Sequence, residues 1–212
     1  SGFLAIETVP EEAMPRGSVL ILHGRGFHPD WHQVVHPLRV GLAERGWRTL
    51  SIQLPVLQKS ASYFDYLPVF DHAVPRISQA LRYLRATQDG PVVLLAHSCG
   101  SHMAQHWLAS PHRPATTMFD AFVGIGLGAT DFGQPMQQPF VLDRIEGPVL
   151  DIYAEHDFNA VRRLAPVRLA QLQAAGHPGS RQLQVPDSTH YFEEQGDRLT
   201  EIIADWLVTS LR

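Results

Sequence analysis

A chain of 212 residues, 44% of them hydrophobic and 18% charged, can bury a substantial core and is not compositionally disordered, so one domain over residues 1–212 is expected. The net charge of −4 and 17 basic residues without a run argue against a nucleic-acid footprint, and no apolar segment reaches membrane-spanning length. The single cysteine, Cys99, excludes an internal disulfide framework; with no leader pattern at the start, and with processing able to remove one, the compartment stays open between cytoplasm and periplasm or secretion.

In chain order, residues 3–9 suggest an edge strand and 18–23 an apolar strand ending at His23-Gly24-Arg25-Gly26. Residues 31–45 place Val34, Leu38 and Leu42 on one helical face. A strand over 48–53 is followed by a long connection, 54–70, rich in aromatics. Residues 71–87 then carry Val74, Ile77, Leu81 and Leu84 at helical spacing. The apolar run ending at residue 97 (92–97) leads through Ser98 into an amphipathic stretch at 102–108. Further strands are expected at 121–127, 149–154 and 181–185, with a second long connection at 128–147. Helices follow at 161–175, carrying Leu164, Leu169 and Leu172 with a kink at Pro166, and at 197–211, carrying Leu199, Ile202, Ile203 and Trp206. Strands of continuous apolar character alternating with helices predict a doubly wound α/β sandwich with a mainly parallel sheet of about six to seven strands. Both long connections should lie over the carboxyl ends of the strands, where such sheets bind ligands, and neither is long enough for a separate cap domain.

The chemistry concentrates at Ala96-His97-Ser98-Cys99-Gly100. Small residues two before and two after a serine permit the tight strand-to-helix turn that exposes a nucleophile, and a serine hydroxyl needs a base and an acid to become one. His190 stands directly after the last expected strand and is the candidate base. Asp157, in the loop after the 149–154 strand, is the candidate acid, with Glu155, Asp131 and Asp187 as competitors. The repeats His28, His32, His36 and His102, His106 have the four-residue spacing of a metal-binding face, but no carboxylate or Cys joins either set at ligand spacing. Hydrogen bonding of His23 and His28 to the loop after the first core strand is the better reading, and no metal or other cofactor is implied. Tyr63, Phe64, Tyr66 and Phe132 are candidates to line a substrate pocket or to staple their loops to the core. The Arg25 side chain is expected to be solvated or paired.

With Ser98, Asp157 and His190 in this order, the chain resembles the α/β-hydrolase superfamily along nearly its whole length. Its Ala-His-Ser-x-Gly turn is similar to that of small, lidless bacterial lipases, Ala96 replacing the usual glycine, and residues 23–31 resemble an uncharacterised bacterial branch known as a domain of unknown function. The resemblance implies an oxyanion hole made of the backbone N–H groups of Cys99, just after the nucleophile, and Arg25, just after His-Gly. A cysteine nucleophile, as in dienelactone-type hydrolases, would need its thiol at position 98, so Cys99 is expected to pack. The implied activity is a serine hydrolase acting on a small-molecule carboxylic ester, or a thioester, of short or medium acyl chain. Its rivals are a non-catalytic binding or scaffold module on the same fold, or an amidase, peptidase or perhydrolase using the same three residues. The oligomeric state stays open.

Overall fold

A computed structural model describes residues 2–11, 14–111 and 118–211. Seven strands form one sheet: β1 (Ala5–Thr8), β2 (Gly17–Leu22), β3 (Trp47–Ile52), β4 (Val92–His97), β5 (Ala121–Ile125), β6 (Val149–His156) and β7 (Arg181–Thr189), in the order β1-β3-β2-β4-β5-β6-β7. Only β1 runs antiparallel, pairing with β3; the remaining pairs are parallel.

The two-residue period of the strands divides the core. Val19 and Ile21 of β2 and Val93 and Leu95 of β4 face α1 (Val35–Ala43) and α6 (Gly196–Ser210). Their neighbours Leu20, Leu22, Leu94 and Ala96 face the opposite layer, with α3 (Phe70–Thr87), α4 (Cys99–Ala109) and α5 (Asn159–Ala175). Because both faces are covered, β2, β3, β4 and β5 are buried at every position, which is why β2, β4 and β5 read as mainly apolar runs; β3 buries Arg48, Thr49 and Ser51 among its apolar residues. The short helix α2 (Tyr63–Tyr66) lies in the first long connection and starts on a capping box between Ser62 and Asp65.

Several expectations shift. The helix expected from residue 31 begins at Val35, although Val34, Leu38 and Leu42 do share a buried face. Helix α5 runs unbroken through Pro166, and the face it buries is Val161, Ala165, Arg168 and Leu172; Leu169, expected inward, is exposed. Arg168 displaces it because Nε donates to Asp151 Oδ2 at 2.7 Å and Nη1 to the carbonyls of Leu127 and Val161, in a site where both charged side chains are fully buried. Burial raises the Asp151 carboxyl above its ordinary range against the charge and hydrogen bonds of Arg168.

Strand β7 outlasts its expected end by four residues. Its pairing with β6 slips between Ala154↔Val185 and His156↔Thr189, a bulge containing Pro186, which has no ladder N–H, and Asp187 at φ 54°. The bulge swings the chain so that His190 leaves the sheet beside the end of β6. The ends of β2, β4, β5, β6 and β7 thus bring His23, Ser98, Gly126, Asp157 and His190 to one edge of the sheet.

Candidate active site

Ser98 links β4 to α4 with φ 52° and ψ −122°, a region that costs a non-glycine residue on the order of 1–3 kcal/mol. Its peptide groups are tied on both sides: Ser98 N donates to Ile125 O at 2.8 Å, and Ser98 O accepts from Ser101 N at 2.9 Å and Ser101 Oγ at 2.5 Å. Gly100 is required by closeness, since a Cβ there would lie 2.4 Å from His23 O and 2.8 Å from Leu22 O.

The structure brings Ser98, His190 and Asp157 together. Ser98 Oγ is 2.8 Å from His190 Nε2, and His190 Nδ1 is 2.6 Å from Asp157 Oδ1, in a site where all three residues are buried. With Nδ1–H donating to the carboxylate, the Nε2 lone pair is left to accept the serine proton. Asp157 Oδ1 also accepts Phe158 N at 2.8 Å, and Oδ2 accepts Ala154 N at 3.0 Å. Burial opposes the Asp157 charge, but the hydrogen bond and charge of His190 and these two amides hold its carboxyl below the usual range. Two of the three competing carboxylates are engaged elsewhere. Glu155 accepts the Asp187 amide at 2.8 Å, and Asp131 takes a bidentate pair from Arg25, at 2.5 and 2.8 Å, together with the Tyr63 amide at 2.6 Å.

The amides of Cys99 and Arg25 have no acceptor among the described residues. Arg25 N–H sits on a loop shaped by His23, whose Nδ1 donates to Gly24 O at 2.8 Å while Nε2 accepts from Leu54 N at 3.0 Å. That pattern demands a neutral ring, and burial lowers His23 to about 4. The Cys99 thiol is buried and burial pushes it up to about 12, so it stays protonated near neutrality.

Two further histidines, given no such role by the sequence, hold the site from behind. His97 donates from Nε2 to the carbonyl of His190 at 3.0 Å, and His102 donates from Nε2 to Ala129 O at 2.9 Å; burial lowers them to about 3 and about 4. Of the other repeated histidines, His28 Nδ1 accepts Asp30 N at 3.2 Å, His36 meets Asp30 at 2.8 Å and His106 meets Asp71 of α3 at 2.7 Å.

Of the four aromatic pocket candidates, one lines the recess over Ser98. Tyr63 does so beside Arg25, Phe27, Thr130, Phe158 and Tyr191. Tyr66 is instead fully buried and accepts Leu57 N at 2.9 Å, which staples the loop to the core. Phe64 is exposed, its amide donating to Gln134 Oε1 at 2.9 Å, and Phe132 lines an adjoining groove. The residues missed are Phe158, whose ring stacks on His190 at 4.3 Å, and Phe27 and Tyr191. Phe158 had one available signal, its place immediately after Asp157.

Among the described residues no helix is long and apolar enough to cross a membrane. A family model described as a protein of unknown function, DUF3530, matches residues 2–66. No curated protein sequence matches the chain. Solved structures similar to it include a serine hydrolase without a lid from Xanthomonas campestris, at 17% identity and TM-score 0.68, covering 98% of this chain and 88% of that one. A dienelactone hydrolase from Anabaena variabilis aligns at 24% identity and TM-score 0.69 over 98% and 92% of the two chains. A monoacylglycerol lipase from Paleococcus ferrophilus aligns at 15% identity and TM-score 0.67 over 99% and 100%. Sheet order, strand directions and these likenesses agree: the chain has the α/β-hydrolase fold, without a separate cap domain.

Proposed function

We propose that this chain, as a single domain over residues 1–212, is a serine hydrolase that cleaves small-molecule carboxylic esters of short or medium acyl chain through an acyl-enzyme. The observation that carries the reading is the buried relay from Ser98 Oγ to His190 Nε2 at 2.8 Å and from His190 Nδ1 to Asp157 at 2.6 Å. A binding module would have no chemical need for all three groups.

In the proposed cycle Ser98 Oγ attacks the ester carbonyl carbon while its proton passes to His190 Nε2, and Asp157 stabilises the imidazolium and fixes its orientation. The amides of Cys99 and Arg25 donate to the oxyanion, aided by the position of Cys99 at the start of α4. Collapse expels the alkoxide, which takes the proton from Nε2. Water, deprotonated by the same nitrogen, then attacks the acyl-enzyme, releasing the acid and restoring Ser98. Nothing in this sequence needs a cofactor.

A parallel panel of ester, thioester, amide and peroxide assays tests the reading. Ester turnover should dominate and fall by at least about 10³-fold in Ser98→Ala and in His190→Ala, with unchanged circular dichroism. Turnover surviving in folded Ser98→Ala would overturn it, and dominance of the amide or peroxide assay would transfer the same three residues to a different reaction.

A further inference from the structure

Return of the proton by His190 has a direction: the alcohol half of the substrate must depart on the side of Ser98 that the imidazole faces. There Phe158 lies against the imidazole, ring centroids 4.3 Å apart and planes within 19°, and forms one wall of an open groove of about 500 Å³ between residues 130–135 and the start of α5. Thr130 and Phe158 border both this groove and the recess over Ser98, so one molecule can span the two.

The two spaces differ greatly in size, and each carries an arginine, paired in one and unpaired among the described residues in the other. The recess beside Arg25 and Cys99 holds only about 30 Å³, room for about one or two water-sized groups, and it is bounded by the Arg25–Asp131 pair and by buried Tyr63. The groove offers two rings, Phe158 and the fully exposed Phe132, and it offers a charge. Arg163 is exposed on its wall and has no acidic partner among the described residues, whereas the acid of the groove, Asp131, is already neutralised by Arg25. A groove of mixed polarity that presents two rings and an uncompensated cation is therefore joined to a recess that admits little more than a methyl group.

Resting on the ester-hydrolase reading above, we propose that the preferred substrates are acetyl or propionyl esters of an aromatic alcohol that bears an anionic group, with the ring against Phe158 and Phe132 and the anion at Arg163. Specificity constants for 4-acetoxybenzoate and its uncharged methyl ester, measured for wild type, Arg163→Gln and Arg163→Glu, test the groove. Their variant-to-variant ratio cancels the intrinsic reactivity of each ester. The anionic-to-neutral ratio should fall about two- to five-fold in Arg163→Gln, the scale of an exposed ion pair, and further in Arg163→Glu. The 4-nitrophenyl esters of acetate, butyrate and octanoate test the recess, and acetate should exceed octanoate by at least about ten-fold in wild type. A ratio moved by neither substitution, or octanoate turned over as well as acetate, overturns the proposal while the hydrolase reading stands. Absence of turnover on every ester, together with no labelling of Ser98 by a fluorophosphonate, overturns both.

Discussion

Three buried histidines make the fold sensitive to mild acid. His23, His97 and His102 are held neutral in the folded chain, lowered by burial to about 4, about 3 and about 4, whereas in the unfolded chain each returns to a value of about 6.5. Between those values the unfolded state binds more protons, so stability is fully present above about pH 6.5 and is lost as pH falls toward the folded values. At pH 5 each imidazole contributes a loss of about 2 kcal/mol, together about 6 kcal/mol, comparable with the about 5–15 kcal/mol that holds a typical domain. The slope near pH 5 should approach three protons, about 4 kcal/mol per pH unit. Urea unfolding at half-unit steps from pH 7.5 to 5 measures it. Asp151, raised by burial, works in the opposite direction, so the difference between wild type and a variant is the cleaner readout. His102→Gln can keep a donor for Ala129 O and should lower the slope by about one proton, about 1.4 kcal/mol per pH unit. Parallel pH curves for wild type and His102→Gln, or a wild-type slope below one proton, would refute the reasoning.

Gly126 has φ 62°, and a Cβ there would lie 2.7 Å from His190 Cε1, so Gly126→Ala should lower kcat by about 10²-fold while circular dichroism stays native; near-wild-type turnover would show that His190 need not hold this position. Cys99→Ala should keep activity within about ten-fold, and iodoacetamide should not inactivate the wild type at neutral pH, because the buried thiol is pushed up to about 12. Cys99→Pro removes the amide donor and should lose at least about 10²-fold, so equal activity in the two variants would contradict the oxyanion assignment. Arg168→Met strands the Asp151 carboxyl in the core and should cost about 3–5 kcal/mol in urea unfolding, and Asp151→Asn combined with it should recover part of that loss; additive losses would show that the two residues act independently.

The central strands β2, β4 and β5 were legible because a sheet covered on both faces leaves mainly apolar runs, and Ser98 stands just past one of them; Asp157 and His190 follow β6 and the mostly polar, exposed β7. Boundaries were less so. The extension of β7 to Thr189 depends on a bulge at Pro186 and Asp187 that no local pattern announces. The buried face of α5 was misread because Arg168 earns its place only through Asp151, 17 residues earlier, and through the Leu127 carbonyl; periodicity counts leucines and cannot see a remote carboxylate. His97 and His102 are polar letters on elements whose neighbours are apolar, and their contacts with His190 and Ala129 are 93 and 27 residues distant in sequence. The aromatic loop at 54–70 points to Tyr66, which is buried in the core, and not to Phe158, whose ring stacks on His190.

The central claim, that Ser98 is an activated nucleophile, is tested most directly by intact-mass and peptide mass spectrometry after exposure of the folded protein to a fluorophosphonate. The account predicts one adduct per chain, mapped to Ser98, with labelling lost in Ser98→Ala and slowed by at least about 10²-fold in His190→Ala. A natively folded wild-type chain that takes up no adduct, or takes it up on another serine, would contradict the account.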